Sequence, residues 1–167
     1  MFKKPRIKMT RILCVLFLSL FLASVYAHDE NNEGSCANFI DNNLRFTNIK
    51  PFYNVGELME IDLEAHVNAT SRFHLVDLWV AIEMPNGELL FKTPFNFQPF
   101  SREPQPFMLS LGDISENFTI VKFEVPVGFG GNYSFYAAYV EEGKSPMVDG
   151  LLVIKDIVNA TTVLYDY

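Results

Sequence analysis

Cysteine is nearly absent from this chain of 167 residues, which contains only two. Proline and glycine are also few, at nine residues each. The first shortage excludes a small domain held together by several disulfides, and the second excludes a collagen-like repeat. Hydrophobic residues make up 49% of the chain, which excludes a disordered polypeptide. The length is that of one ordinary domain.

Basic residues are scarce through most of the sequence. Five of the 13 Lys and Arg lie within the first 11 residues, whereas all 20 Asp and Glu lie from Asp29 onward. Residues 28–167 therefore carry 20 acidic side chains against eight basic ones, a net charge of −12. Because a surface this acidic repels a phosphate backbone, we expect no nucleic-acid partner.

Long hydrophobic runs are missing except at the N-terminus. There, residues 12–25 are apolar apart from two serines, follow a basic stretch and end at Val25-Tyr26-Ala27. This order predicts a secretory signal peptide, residues 1–27, that is cut after Ala27. The alternative is an uncleaved anchor, but the run is shorter than the roughly 20 residues that a spanning helix needs. We expect a product without a membrane span that is secreted, periplasmic or held at the cell surface.

The next stretch, residues 28–43, is acidic and rich in Asn, and it predicts a flexible leader. It contains Cys36, which has no cysteine partner once Cys14 leaves with the signal peptide. Cys36 is therefore a candidate for an intermolecular disulfide. The alternative is a spare cysteine, because no basic residue close in sequence would activate its thiol.

Four Asn-x-Ser/Thr sequences are present, whereas chance predicts about one for this composition. They begin at Asn68, Asn117, Asn132 and Asn159. These residues are candidate N-glycosylation sites in a host that glycosylates its exported proteins. Alternatively, they reflect how common Asn and Thr are at strand ends.

Short hydrophobic runs separated by turn residues fill the rest of the chain. The clearest run has apolar residues in alternate positions, at Met59, Ile61, Leu63, Ala65 and Val67. This alternation predicts a half-buried antiparallel strand. Further strands are predicted at residues 44–49, 75–84, 89–92, 118–125, 132–140, 150–158 and 161–165. The sequence thus predicts an all-β fold, a two-sheet antiparallel Ig-like β-sandwich of about seven or eight strands over residues 44–167.

Two segments carry a resemblance to a known group of proteins. The first is Val76-Asp-Leu-Trp-Val-Ala-Ile82, followed by Pro85-Asn-Gly87 and by Leu89-Leu-Phe91. The second is residues 130–140, Gly-Gly-Asn-Tyr-Ser-Phe-Tyr-Ala-Ala-Tyr-Val. Both resemble patterns in uncharacterised Ig-like or fibronectin-III-like β-sandwich modules of prokaryotic exported proteins. The resemblance covers residues 51–158 and implies a fold but no catalytic residue. Within it, Tyr133 fits the position of a tyrosine corner, whose hydroxyl bonds back to the main chain.

The predicted N-terminus suggests one metal site. Cleavage after Ala27 would leave His28 first, and an N-terminal His binds Cu(II) through its amine and ring nitrogens. A second histidine, His66 or His74, would complete a three-nitrogen site. Copper binding is therefore one alternative function, and ordinary solvated histidines are the competing interpretation. Nothing else in the sequence predicts a cofactor.

Candidate catalytic groups are few. Glu60, Asp62 and Glu64 share one face of the alternating strand, which we interpret as a solvated acidic face because no Ca²⁺-binding loop accompanies it. Ser71, His74 and Asp77 are close in sequence, but the sequence lacks a nucleophile elbow, and proximity does not establish a triad. We therefore expect no enzymatic activity.

Residues 91–107 form the least ordinary segment. They contain four Pro, which disfavour a central strand, and five Phe, at Phe91, Phe95, Phe97, Phe100 and Phe107. One interpretation is a loop whose rings cap the open end of the sandwich. The other is an exposed patch that binds a partner or a sugar ring. Trp79, the only tryptophan, is a second candidate for stacking on a sugar.

These patterns predict an exported, non-catalytic binding or structural module that works at the cell envelope or outside the cell. Its partner would be a protein or another component of a cell surface. Copper binding through His28 and carbohydrate binding are the two alternatives.

Overall fold

The computed structural model describes residues 43–68 and 74–166. The predicted signal peptide and all of the predicted leader except Asn43 lie outside the described residues, and so do His28, Cys36 and Ser71. No helix within the described ranges has the length and apolar character needed to cross a membrane.

The described residues form ten strands and one 3-10 turn, Leu151–Val153, and none of them forms an α-helix. The strands are β1 Asn43–Thr47, β2 Phe52–Tyr53, β3 Leu58–Asn68, β4 Val76–Glu83, β5 Leu89–Lys92, β6 Phe100–Ser101, β7 Met108–Leu111, β8 Asp113–Glu124, β9 Gly131–Glu141 and β10 Ile154–Leu164. The predicted all-β class is confirmed. The strands β2, β6 and β7 are not predicted by the sequence, and the two strands predicted at residues 150–158 and 161–165 are one continuous strand, β10.

Pairing divides the strands into two sheets. The smaller sheet has the order β1-β3-β8, and the larger has the order β2-β10-β9-β4-β5-β6, with β7 beside β4. Among the described pairings, only that of β2 with β10 is parallel, with Phe52 opposite Val163. It departs from the predicted antiparallel arrangement because the chain crosses from β1 to the other sheet without reversing direction. Asn48, with a φ of 61°, lies at this crossing.

One hydrophobic core contains residues from both sheets. All five alternating residues of β3 are buried in it, as the sequence predicts, and so are alternate residues of β4 and β9. The rings of Phe46 in β1 and Phe135 in β9 meet edge to face, with centroids 6.1 Å apart. Since each large side chain contributes about 1.5–3 kcal/mol when fully buried, this core is the main source of stability.

The core is closed at two places by hydrogen bonds from single side chains. The Tyr133 hydroxyl donates to the carbonyl of Phe129 at 2.7 Å, the local main-chain bond that the sequence predicts for this tyrosine. Asp77 is buried in β4, where its two carboxylate oxygens accept separate main-chain N–H bonds from Ser110 and Gly143, each at 2.9 Å. Asp77 thereby ties β7 and the connection after β9 to the middle of the larger sheet.

A second, smaller hydrophobic cluster lies on the opposite face of the larger sheet. It is formed by Trp79, Phe91, Ala138 and Val140. Met147, Val153 and Ile154, from the connection between β9 and β10 and from the start of β10, pack against it. The larger sheet is therefore covered by apolar side chains on both faces along part of its length.

Candidate functional site

Two of the five phenylalanines in residues 91–107 are exposed together in the connection between β5 and β6. Phe95 is 53% exposed and Phe97 is 86% exposed, which is unusual for rings of this size. Their centroids lie 5.5 Å apart with the ring planes tilted by 32°. The two rings thus form one apolar surface, which we call the Phe95–Phe97 patch.

The main chain beneath this patch is held by Thr93, whose side chain is buried. The Thr93 hydroxyl donates to the carbonyl of Gln98 and accepts a bond from the N–H of Phe95 at 3.1 Å. Main-chain bonds join the Thr93 N–H to the Pro99 carbonyl at 3.0 Å and the Gln98 N–H to the Phe95 carbonyl at 3.2 Å. The two rings are therefore presented by an ordered turn, which lowers the entropy that a partner must overcome on binding.

The other three phenylalanines of the predicted patch lie elsewhere. Phe91 is buried against Trp79, with the ring centroids 6.3 Å apart. Phe100 in β6 and Phe107 before β7 are half-buried against the main core. Three of the five predicted rings, Phe91, Phe100 and Phe107, are packed, as the capping interpretation predicts. The other two, Phe95 and Phe97, are exposed, as the binding-patch interpretation predicts.

Lys92 fills the gap between the two sheets on the side of Phe100 and Phe107. Its Nζ donates to the Ile120 carbonyl in β8 at 3.3 Å and lies 5.1 Å and 5.9 Å from the centroids of those two rings. Burial lowers the pKa of the Lys92 ammonium, because the charged form loses hydration there. A cation held by two rings closes this edge of the sandwich without a carboxylate partner among the described ion pairs.

The predicted metal ligands are not brought together in the described residues. His66 lies on the polar outer face of β3, opposite Ser115 of β8, beside a depression of about 290 Å³ that Glu64, Asn117 and Asn43 also line. His74 precedes β4, in the other sheet. Within residues 43–68 and 74–166, no three His, Cys, Asp or Glu side chains are arranged to hold a metal ion. His28 is not described, so copper binding stays a hypothesis.

Each carboxylate on the outer face of β3 has its own partner. Glu64 pairs with Arg45 at 2.6 Å, Glu60 pairs with Lys122 at 2.7 Å, and Asp62 accepts a bond from the Asn48 amide at 2.6 Å. Separate partners leave no oxygen cage shared by these three side chains for Ca²⁺. The predicted solvated face is wrong for Asp62, which lies at an irregularity in the β3–β8 pairing, is only 7% exposed and has an Oδ1 without a hydrogen-bond partner among the described residues.

The structure shows a structural role for Asp77. Its two oxygens accept main-chain N–H groups from Ser110 and Gly143, which lie in two separate segments. The sequence predicts no triad from Ser71, His74 and Asp77, and Ser71 lies outside the described residues.

All four sequon asparagines are exposed. Asn68 ends β3, Asn117 lies in β8, Asn132 in β9 and Asn159 in β10. Exposure is the condition that an N-glycan requires, so each remains a candidate acceptor.

Trp79 is only 7% exposed, and its ring lies in the second hydrophobic cluster. A ring buried in this way cannot stack on a sugar at the surface, which argues against the carbohydrate hypothesis for this residue. The sequence does not predict the segment around Met147 that covers this cluster. The sequence pattern that marks this segment is a pair of glycines, Gly143 and Gly150, on either side of apolar residues.

Comparison with known proteins adds no assignment. No protein-family model matches the chain. No curated protein matches it either.

Proposed function

We propose that this chain is an exported, Ig-like domain that binds a protein partner and carries out no catalysis. The observation that carries the proposal is the ordered display of the Phe95–Phe97 patch. Exposed aromatic side chains on a rigid turn are typical anchors of protein interfaces, since they bury a large apolar area with little loss of conformational entropy.

The strand order supports the Ig-like part of the proposal. In Ig domains the first, second, fourth and fifth strands form one sheet, and the third, sixth and seventh form the other, with extra strands added beside the third in variable-type domains. Here β1, β3 and β8 form the smaller sheet, whereas β10, β9 and β4 are adjacent in the larger one and β5 and β6 follow β4. This order resembles that of an Ig-like fold with additional edge strands, although the described residues include no counterpart of the fourth strand in the smaller sheet.

The sequence supports export and the type of partner. The basic stretch, apolar run and small residues before His28 have the order of a signal peptide. The two exposed rings supply mainly apolar area, which favours an apolar pocket on a protein partner. The excess of acidic residues favours a partner with basic residues around its apolar pocket.

The test is binding of the fluorescently labelled mature protein to intact cells of the producing organism, with and without protease treatment of those cells. We expect saturable binding that protease treatment abolishes. Replacing both rings, Phe95→Ser with Phe97→Ser, should weaken binding by about 100-fold, because two buried aromatic anchors contribute several kcal/mol.

A matched control is available on another turn. Val127 and Phe129 are also exposed, in the turn between β8 and β9, and their double replacement by Ser likewise removes two exposed apolar side chains. We expect this control to bind like the unmodified protein. Binding that survives protease treatment, or that both double variants reduce equally, would contradict a protein partner at the Phe95–Phe97 patch.

A further inference from the structure

Residues 144–153, here called the cover, lie over the second hydrophobic cluster. Met147 and Val153 of the cover pack against the group that contains Trp79, Phe91 and Val140. The opposite side of the cover is also apolar, with Val148 84% exposed and Leu152 96% exposed. An apolar segment with one face on the sheet and the other in solvent is not an ordinary polar surface loop.

The hydrogen bonds of the cover are local. The Ser145 carbonyl accepts bonds from the N–H groups of Val148 and Asp149 at 3.1 and 2.7 Å, and the Asp149 carboxylate accepts the Ser145 N–H at 2.8 Å. Among the described residues, the bonds found for residues 144–150 stay inside the cover or reach the neighbouring Glu141. Movement of the cover away from the sheet would therefore break apolar contacts but keep these bonds.

Glycines with positive φ mark both sides of this bonded unit. Gly143 has a φ of 71° and Gly150 a φ of 82°. A Cβ added at either position would meet nothing within 4 Å, so neither glycine is required by close packing. Main-chain freedom is what glycine provides at such sites. Asp77 fixes the first of them to the sheet through the Gly143 N–H, which defines where movement would begin.

The unpaired indole N–H of Trp79 is the observation that indicates a ligand beneath the cover. This indole is more than nine-tenths buried, yet no acceptor among the described residues is within hydrogen-bonding distance of Nε1–H. A buried donor without an acceptor costs about 1–3 kcal/mol, and most native structures avoid it. An acceptor supplied from outside the chain would remove that cost.

We propose that the cover lifts to open a binding site over Trp79 for an apolar ring or chain that carries one hydrogen-bond acceptor. The apolar surface is supplied by Ala138 and by the rings of Trp79 and Phe91, which meet edge to face, and the one polar group is the indole N–H. A sugar does not fit this lining, because all but one of its hydroxyls would lose their hydration unpaired. An apolar ligand with a single carbonyl or ether oxygen does fit it.

The single tryptophan makes the movement measurable in the intact mature protein, because all of its tryptophan fluorescence comes from Trp79. The variant is Gly150→Ala, which forces a Cβ onto a positive φ in the closed form. The control is Gly128→Ala, at a φ of 86° with equally open surroundings but in the turn between β8 and β9. We expect Gly150→Ala to raise acrylamide quenching of Trp79 by about five-fold and Gly128→Ala to leave it unchanged.

Equal quenching in both glycine variants would show that only global stability changes, and it would overturn the proposed movement. No increase in Gly150→Ala, with its fold confirmed by circular dichroism, would overturn it as well. Both variants keep every side chain that contacts Trp79, so the comparison isolates the cover.

The ligand chemistry is tested with cyclohexanone as the probe and with the one indole N–H signal in a ¹H–¹⁵N correlation spectrum as the readout. We expect a saturable downfield shift of that signal, and an apparent affinity about five-fold higher in Gly150→Ala, because a larger open fraction binds. Absence of a saturable shift in either protein would overturn the assigned ligand class. An equal apparent affinity for cyclohexanone in Gly150→Ala and Gly128→Ala would show that ligand binding does not depend on the cover, and it would overturn the proposal.

Discussion

At the scale of single residues, Asp77 is the polar side chain whose hydrogen bonds matter most for the fold. It lies on a strand whose other residues are nearly all apolar, and it joins Ser110 and Gly143, which are 33 and 66 positions away in the chain. A buried carboxylate is costly unless its oxygens are bonded, and here each accepts a main-chain N–H. Ser110 adopts a φ of 56°, a conformation that this bond helps to hold.

Replacing Asp77 by Ala should therefore lower the free energy of unfolding by about 3 kcal/mol, because two buried N–H donors lose their acceptors. Asp77→Asn should cost roughly half as much, since the amide keeps one acceptor oxygen. The measurement is urea unfolding followed by circular dichroism. Asp113→Ala, at an exposed strand end, is the control and should change stability by less than about 0.5 kcal/mol. Equal midpoints for all three variants would contradict the structural role of Asp77.

At the scale of strands and turns, close packing fixes the start of β9. A Cβ added to Gly131 would lie 2.6 Å from Cγ of Pro85, in the turn that follows β4, and the φ of Gly131 is 137°. Two constraints, a steric one and a conformational one, therefore require glycine at this position. Gly87, in the same Pro85 turn, has a φ of 77° but no atom within 4 Å of an added Cβ.

Comparing Gly87 with Gly131 therefore distinguishes the cost of the backbone conformation from the cost of the steric contact with Pro85. Gly87→Ala should cost about 1 kcal/mol through its backbone conformation alone, whereas Gly131→Ala should cost about 3 kcal/mol because Pro85 must also move. Thermal unfolding of the two variants provides the comparison. If both substitutions lower the midpoint equally, the contact with Pro85 is not a constraint.

Much of the strand pattern was predictable because one face of a strand is usually buried. The five alternating residues of β3 predict its bounds to within one residue. For β10, Asn159 and Thr161 suggest a break, but both lie exposed on one face while Ala160 and Thr162 face the other side, so the alternation continues. The short β6 and β7 were not predictable, because β6 is only two residues long within a proline-rich segment and β7 is defined by pairing with β4, which lies much earlier in the chain.

The candidate site was predictable only as a segment. Composition marks residues 91–107 as unusual, but it does not separate Phe91, which packs on Trp79, from Phe97, which faces solvent. Whether each ring is buried or exposed depends on the hydrogen bonds of Thr93 and on which face of β5 packs against the second hydrophobic cluster. Both are determined by tertiary structure rather than by local sequence.

At the scale of the whole molecule, Lys92 connects the two sheets at their open side. It extends from β5 of the larger sheet to the Ile120 carbonyl in β8 of the smaller one. The ring of Phe107, which also faces this ammonium, meets Phe118 of β8 edge to face at 5.3 Å. The junction is therefore a cation between aromatic rings rather than an ion pair.

This junction predicts how stability depends on pH. Burial lowers the pKa of Lys92 in the folded protein below its ordinary value of 10.5, so between these two values the unfolded chain holds more protons. Stability should therefore rise with pH across that window. The unmodified protein should gain stability relative to Lys92→Met as the pH is raised toward 10.5, measured by urea midpoints.

Tyr133, whose pKa is raised by burial, has the opposite effect near the top of this range, but it is present in both proteins and cancels in the difference. A difference that stays constant with pH, or that decreases as pH rises, would contradict the burial of the Lys92 ammonium.

The parallel pairing of β2 with β10 has a consequence for how the protein is made. Phe52 finds its partner only when Val163 has been synthesised, and β10 also supplies the antiparallel neighbour of β9. The larger sheet therefore cannot be completed strand by strand as the polypeptide leaves the ribosome. Long-range pairings of this kind slow folding, because the chain must close a large loop first. A nascent chain that folds only late in synthesis stays unfolded long enough to pass through a translocation channel, as the proposed export would require.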